Sequence, residues 1–126
     1  MKNFKQTTLA FVVAVTLLVG LVNAGQAATP NQVKHRTVEI DGQTIFYREA
    51  GSADSPTLLL LHGFPTSSHM FRDLIPELAD QFHLVAPDYP GFGNSSMPAV
   101  DEFEYTFDNF SVIVEKLTEE LGLDHY

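Results

Sequence analysis

Six stretches of the chain carry a hydrophobic rhythm, and each ends in residues that cannot continue it. Residues 35–41 alternate as His-Arg-Thr-Val-Glu-Ile-Asp. Residues 44–50 alternate again, with Ile45, Tyr47 and Glu49 on one face and Phe46, Arg48 and Ala50 on the other. Period-two patterning predicts strands, and Asp41-Gly42 between them is a hairpin signal. Residues 51–56 are turn formers. Residues 58–61 are four leucines without alternation, which predicts a strand covered on both faces, as in the middle of a parallel sheet flanked by helices. With Gly63 and Pro65 following, the run is too short for a buried helix.

Past that strand the period lengthens. Met70, Phe71, Leu74, Ile75 and Leu78 fall at helical spacing behind Thr66, Ser67 and Ser68, any of which can cap a helix. Pro76 predicts a kink, or a restart with Pro76 as the first residue of a second turn. Residues 81–87 return as a strand through Phe82, Leu84 and Val85, and a strand, crossover helix and parallel strand in this order is right-handed. Residues 97–105 read as a loop. Thr106 caps the last predicted helix, Asp108 sits favourably in its first turn, and Phe107, Phe110, Val114, Leu117 and Leu121 form its expected buried stripe. Gly122 ends it, and residues 123–126 read as the start of a further strand.

The chemistry gathers where the leucine strand stops, at His62-Gly63-Phe64-Pro65. Gly63 lets the backbone turn sharply, and Pro65 has a fixed φ and no N–H. Phe64, preceding a proline, is pushed out of the helical region. Its N–H is thereby left without a ladder or helix partner. A buried donor left unpaired costs about 1–3 kcal/mol, so this group is expected to face water or a bound oxygen, which is how an oxyanion hole is built. The neighbouring residues invite plainer roles. Ser67 and Ser68 read as caps rather than nucleophiles, and His62 as a residue that orients the loop rather than one that transfers protons. His35, His83 and His125 lack ligand spacing, so no metal is expected.

His-Gly-Phe-Pro after an apolar strand resembles the oxyanion loop of the α/β-hydrolase superfamily, especially its epoxide hydrolase and haloalkane dehalogenase branches. A second motif agrees: residues 86–96, Ala-Pro-Asp-Tyr-Pro-Gly-Phe-Gly-Asn-Ser-Ser, are similar to the Asp-x-x-Gly-x-Gly-x-Ser turn of those families. Asp88, Gly91 and Gly93 are accordingly expected to be structural turn residues. The same stretch mimics half of a dinucleotide fingerprint, but Pro87 and Pro90 and the lack of a third glycine or an opening helix rule against that. The resemblance covers roughly residues 35–126.

The resemblance implies an α/β fold in which the hairpin forms one edge of a mostly parallel sheet and the 81–87 strand lies between the hairpin and the leucine strand. It implies a cis Phe64–Pro65 peptide, with Phe64 N–H as an oxyanion-hole donor and His62, Gly63 and Pro65 as its support. The implied activity is hydrolysis of a small neutral epoxide, haloalkane or ester through a covalent ester, without metal or organic cofactor. No Gly-x-Ser-x-Gly or Asp-centred elbow occurs in the chain, so nucleophile, acid and base are expected beyond it. Residues 28–126 thus read as the N-terminal part of a hydrolase domain, incomplete and by itself inactive. The alternatives are an inactive truncated product or a small binding module reusing the hydrolase front half.

Composition narrows the setting. A chain of 126 residues holds one domain, fewer than the 200–250 residues such a fold commonly needs. Cysteine is absent, which removes disulfides and thiolate chemistry. Lys2 and Lys5 precede an apolar run at residues 9–22, followed by Ala24, Gly25, Ala27 and Ala28. This is the pattern of a secretory signal peptide, residues 1–27, cleaved after Ala27, with Ala24 the alternative. The run falls short of the ~20 residues of a membrane span, so export to the periplasm or medium is expected rather than stable insertion. Loss of the leader takes the formal net charge from −9 to −11, which disfavours nucleic acid and anionic membrane as partners and suits a neutral small-molecule substrate.

Overall fold

The computed structural model describes residues 32–126, so the expected leader and its cleavage site lie outside the described residues. The alternating segments form an antiparallel hairpin, β1 (Lys34–Ile40) and β2 (Gln43–Ala50), in register from Lys34 opposite Glu49 to Ile40 opposite Gln43. Asp41 and Gly42 both adopt positive φ, 50° and 78°, which suits the two-residue type I′ turn whose twist matches the strands it joins.

There follow β3 (Thr57–Leu59), a 3₁₀ turn (Ser68–Phe71), α1 (Leu74–Leu78), β4 (His83–Pro87) and α2 (Phe107–Glu120). The sheet order is β1-β2-β4-β3, with β4 antiparallel to β2 and parallel to β3. The later strand therefore inserts between the hairpin and the leucine strand. Alternation along β2 and β4 divides the core between the two sheet faces. On one face Ile40, Ile45, Tyr47 and Val85 meet Ile113 and Leu117 of α2. On the other, Ala50, Leu84 and Ala86 meet Ile75 of α1 and Ala79 just after it.

Four expectations change. The leucine strand is covered only in part on each face. Leu58 and Leu60 lean on the α1 side and Leu59 on the α2 side, none fully buried, and Leu61 is 45% exposed. Among the described residues β3 has one neighbour, β4, and lies at the edge of the sheet. The helical stretch expected after it breaks before Leu74 rather than at Pro76. Ser67 Oγ accepts from His69 N–H and caps only the 3₁₀ turn, while α1 starts afresh at Leu74. Pro76 is its third residue, inside the first turn, where a missing N–H breaks no intrahelical bond. Met70 and Leu74 are consequently exposed.

The stripe of α2 is rotated from the expected one. Thr106 Oγ1 does cap it, accepting from Asn109 N–H. Ile113 and Leu117 take the core, whereas Phe107 is 89% exposed. The apolar arc is wider than the core contact, so its Phe107–Phe110–Val114 edge overlooks a cleft instead. Finally, residues 123–126 form no strand. Gly122 N–H bonds Glu119 O and Leu123 N–H bonds Thr118 O at 2.9 Å, the paired bonds of a Schellman motif with Gly122 at φ 67°. Leu123 is drawn back onto the core.

Candidate active site

The two motifs lie side by side because β3 and β4 are parallel neighbours and their loops leave the same end of the sheet. The second loop is built around Asp88, which is fully buried. One carboxylate oxygen accepts from Ser68 N–H at 2.6 Å and the other from Asn94 N–H at 2.8 Å. Its backbone carbonyl accepts from Ser95 Oγ, which in turn accepts from Phe46 N–H of β2. Charge-assisted bonds of this kind are about twice as strong as neutral ones. Asp88 therefore ties the 3₁₀ turn, the second loop and β2 into one unit. A Cβ on Gly93, at φ 54°, would fall 2.0 Å from Asp88 Oδ2, so the carboxylate needs glycine there.

His62 joins the first loop to the second. Its ring is buried, 4.5 Å from Tyr89 and 5.4 Å from Phe92 between centroids. Tyr89 N–H donates to Nε2 at 3.2 Å, and Nδ1 lies 2.9 Å from Gly63 O. A backbone N–H can only donate, so Nε2 carries no hydrogen and Nδ1–H donates to the carbonyl. The neutral Nδ1–H tautomer satisfies both contacts.

The Phe64–Pro65 peptide is cis. Gly63 O also accepts from Thr66 N–H at 3.2 Å, and Phe64 N–H has no hydrogen-bond partner among the described residues. The Phe64 ring is 85% exposed and meets Phe92 edge to face. This loop borders an open cleft of about 1180 Å³, lined chiefly by Leu61, Phe64, Tyr89, Phe92, Phe107 and Phe110, with Thr106, Ser111 and Glu115 as polar members. Burial pushes the Tyr89 phenol up, so the hydroxyl stays neutral. The cleft can seat an apolar group beside the Phe64 loop.

A separate polar cluster sits where β1, β2 and β4 meet. Glu49 accepts from His83 Nε2 at 3.0 Å and from Arg36 Nε, and Thr57 Oγ1 lies 3.4 Å from His83 Nδ1. Burial pushes the Glu49 carboxyl up, but the hydrogen bonds and charges of His83 and Arg36 outweigh it and hold the carboxyl below its usual value. Burial also raises Tyr47, with the charge of Glu49 adding to the rise and Arg36 opposing it. Among the described residues no group of three or more His, Cys, Asp or Glu side chains is placed to hold a metal ion.

The structure thus brings together His62, Gly63, Phe64 and Pro65 with Asp88, Gly91 and Gly93, the residues singled out in sequence. Sequence reasoning missed the aromatic lining. Tyr89 and Phe92 read as loop residues, and the spacing of Phe107, Phe110 and Val114 as core. Their excess of aromatic over aliphatic residues was the available signal.

A mixed sheet with a helix on each face and two motif loops leaving the same sheet end has the architecture of part of an α/β-hydrolase fold. The comparisons agree. Residues 56–126, more than half of the chain, match the model of the alpha/beta hydrolase fold, and the chain belongs to that family. It is 48% identical over 92 residues to an uncharacterized hydrolase of Saccharomyces cerevisiae, covering 73% of this chain and 31% of that protein. It is 37% identical over 93 residues to a soluble epoxide hydrolase of Corynebacterium, covering 74% and 31%. The crystal structure of a haloalkane dehalogenase from Bradyrhizobium elkani superposes with a TM-score of 0.68 at 36% identity, covering 73% of this chain and 31% of that one. The chain spans about a third of the length of these relatives.

Proposed function

We propose that the chain supplies the oxyanion-binding part of a hydrolase acting on a small neutral substrate, an epoxide, haloalkane or ester, through a covalent ester. The observation that carries this reading is the unpartnered Phe64 N–H at an apolar cleft, in a chain whose relatives include a soluble epoxide hydrolase and haloalkane dehalogenases. An Asp or Ser nucleophile outside residues 1–126 attacks the substrate carbon and displaces the leaving group. A water deprotonated by a histidine, also outside the chain, then attacks the ester carbonyl. The negative charge that forms on that carbonyl oxygen is accepted by Phe64 N–H together with the N–H following the nucleophile.

The test is to replace the Gly63–Phe64 amide by an ester in the whole gene product, which exchanges one N–H for an oxygen. The expected result is a fall in kcat of about 10²–10³, as for other lost oxyanion donors. An unchanged kcat would overturn the assignment. Residues 28–126 alone are expected to give no turnover of ester or epoxide substrates, because the chain has no nucleophile elbow. Export is part of the same proposal, and an N-terminus at Ala28 recovered outside the cytoplasm is its expected signature.

A further inference from the structure

We propose that Arg48, set between His35 and His69, is the centre of a binding site for a small oxyanion, a phosphate or a carboxylate. The observation that carries this is a charge without a counter-charge. Arg48 lies on β2 and is half-buried. Charges taken even partly out of water are ordinarily paired, because desolvation costs them more than neutral partners return. Arg36, Arg72 and Lys116 follow that rule, with Glu49, Asp73 and Asp41 as their partners, and Lys34 is exposed. Arg48 has no carboxylate partner among the described residues, although the chain has 16 acidic residues to 7 lysines and arginines.

What holds the guanidinium is neutral. Its Nε–H donates to Ser68 Oγ at 3.2 Å, one terminal nitrogen donates to His35 Nε2 at 2.7 Å, and the other, more loosely, to His69 Nδ1 at 3.5 Å. An imidazole nitrogen that accepts carries no hydrogen, so each ring has its own N–H on the far side, at Nδ1 of His35 and Nε2 of His69. Phe46 forms the floor, its ring centroid 5.7 Å from the guanidinium carbon and 5.5 Å from that of His35. The hairpin thus fixes the guanidinium plane from one side and the 3₁₀ turn from the other. One N–H on each terminal nitrogen is left without a partner among the described residues, a pair spaced to meet two oxygens of one carboxylate or phosphate. Both histidines are exposed, so an anion can reach it from solvent.

The net charge of the chain repels anions at long range, so the local groups decide. Acids on the elements that meet here are engaged elsewhere. Asp88 accepts from Ser68 and Asn94 N–H, Asp73 is paired with Arg72, Glu39 accepts from Thr44 Oγ1, and Glu49 is taken by Arg36 and His83. Arg72 adds a second cation beside His69, whose carbonyl oxygen accepts from it at 3.4 Å. A guanidinium with two flanking imidazole N–H groups recognises oxygen-rich anions. None of these residues lines the cleft beside Phe64, and the inference does not depend on the role proposed for Phe64.

The test uses the whole gene product with nitrogen-15 in its arginines, titrated with inorganic phosphate and with acetate at constant ionic strength. The Arg48 Nε–H resonance, identified by its loss in Arg48→Lys, is expected to move along a saturable curve, while chloride leaves it in place. Whichever of the two anions saturates at the lower concentration names the ligand class. Arg48→Lys keeps the charge but not the fork, and calorimetry should show phosphate or acetate binding weakened about tenfold or more, the cost of a lost hydrogen bond between charged groups. A crystal of the whole gene product soaked in the tighter anion should place its oxygens about 2.7–2.9 Å from both terminal nitrogens of Arg48. An Arg48 resonance that responds to neither anion more than to chloride would overturn the proposal. So would undiminished binding in Arg48→Lys, or a carboxylate side chain from outside residues 32–126 seated on the guanidinium in that crystal. Should Arg48→Lys not fold, the titration of the parent protein and the soaked crystal decide between the same outcomes.

Discussion

β3 and β4 lie side by side, parallel and in register, and the more apolar of the two is the less buried. β4 contributes His83, Leu84, Val85, Ala86 and Pro87, all buried, while no residue of Thr57–Leu59 is, and Leu61 beyond them is 45% exposed. The difference is topological. Among the described residues β4 has β2 on one side and β3 on the other, and β3 has only β4. The loops that leave these strands differ in the same way. After β4, Asp88 is buried and every carboxylate oxygen is bonded. After β3, the Phe64 N–H has no partner among the described residues and the Phe64 ring stands 85% exposed. A loop with its polar groups bonded adjoins one with an unbonded N–H, an arrangement that suits the donor role proposed for Phe64.

The largest effect should come from breaking the saturated side. Asp88→Ala removes two charge-assisted bonds and strands the buried Ser68 N–H, so a loss of about 3 kcal/mol or more is expected, read from the denaturation midpoint of the whole gene product. A loss under about 1 kcal/mol would mean that the second loop is not what holds the site. Leu58 and Leu84 face each other across the two strands and give a matched comparison. Leu84→Ala should cost about 2–5 kcal/mol and Leu58→Ala under about 2 kcal/mol. Equal losses would show that β3 is covered by other parts of the whole protein.

Glycines draw the same contrast at smaller scale. Gly93→Ala forces a Cβ against Asp88 Oδ2 at positive φ, whereas a Cβ on Gly63 meets nothing within 4 Å. The first should cost about 1–3 kcal/mol and the second much less, by the same unfolding measurement.

How much of this was legible in the sequence follows from the kind of force involved. The hairpin, its Asp41-Gly42 turn and the insertion of β4 were readable because local turn chemistry and family motifs fix them. So were Thr106 and Gly122 at the ends of α2. The exposure of Met70, Leu74 and Phe107 was not, because hydrophobic period shows that an arc is apolar but not which part of it meets a sheet. The bond from Ser68 N–H to Asp88 spans twenty residues and depends on two loops leaving the same sheet end, which no local pattern encodes. The Glu49–His83–Arg36 cluster, which joins β1, β2 and β4 through cross-strand neighbours, was not legible for the same reason.

That cluster supplies the smallest expected effect. The folded Glu49 carboxyl lies below its unfolded value, so its stabilisation is complete above the unfolded glutamate range near pH 4.3 and is lost as pH falls through the folded value. Glu49→Gln should flatten the acid side of the stability profile. A profile unchanged in the variant would show that His83 and Arg36 contribute nothing through this carboxylate.

The most direct measurement is a crystal structure of the whole gene product with a tetrahedral oxyanion mimic bound at the site. The expected result is the mimic's oxygen about 2.7–3.1 Å from the Phe64 nitrogen, with His62 still bridging Gly63 O and Tyr89 N–H. An oxyanion bound by other donors, with Phe64 N–H turned away from it, would contradict the role given to this loop.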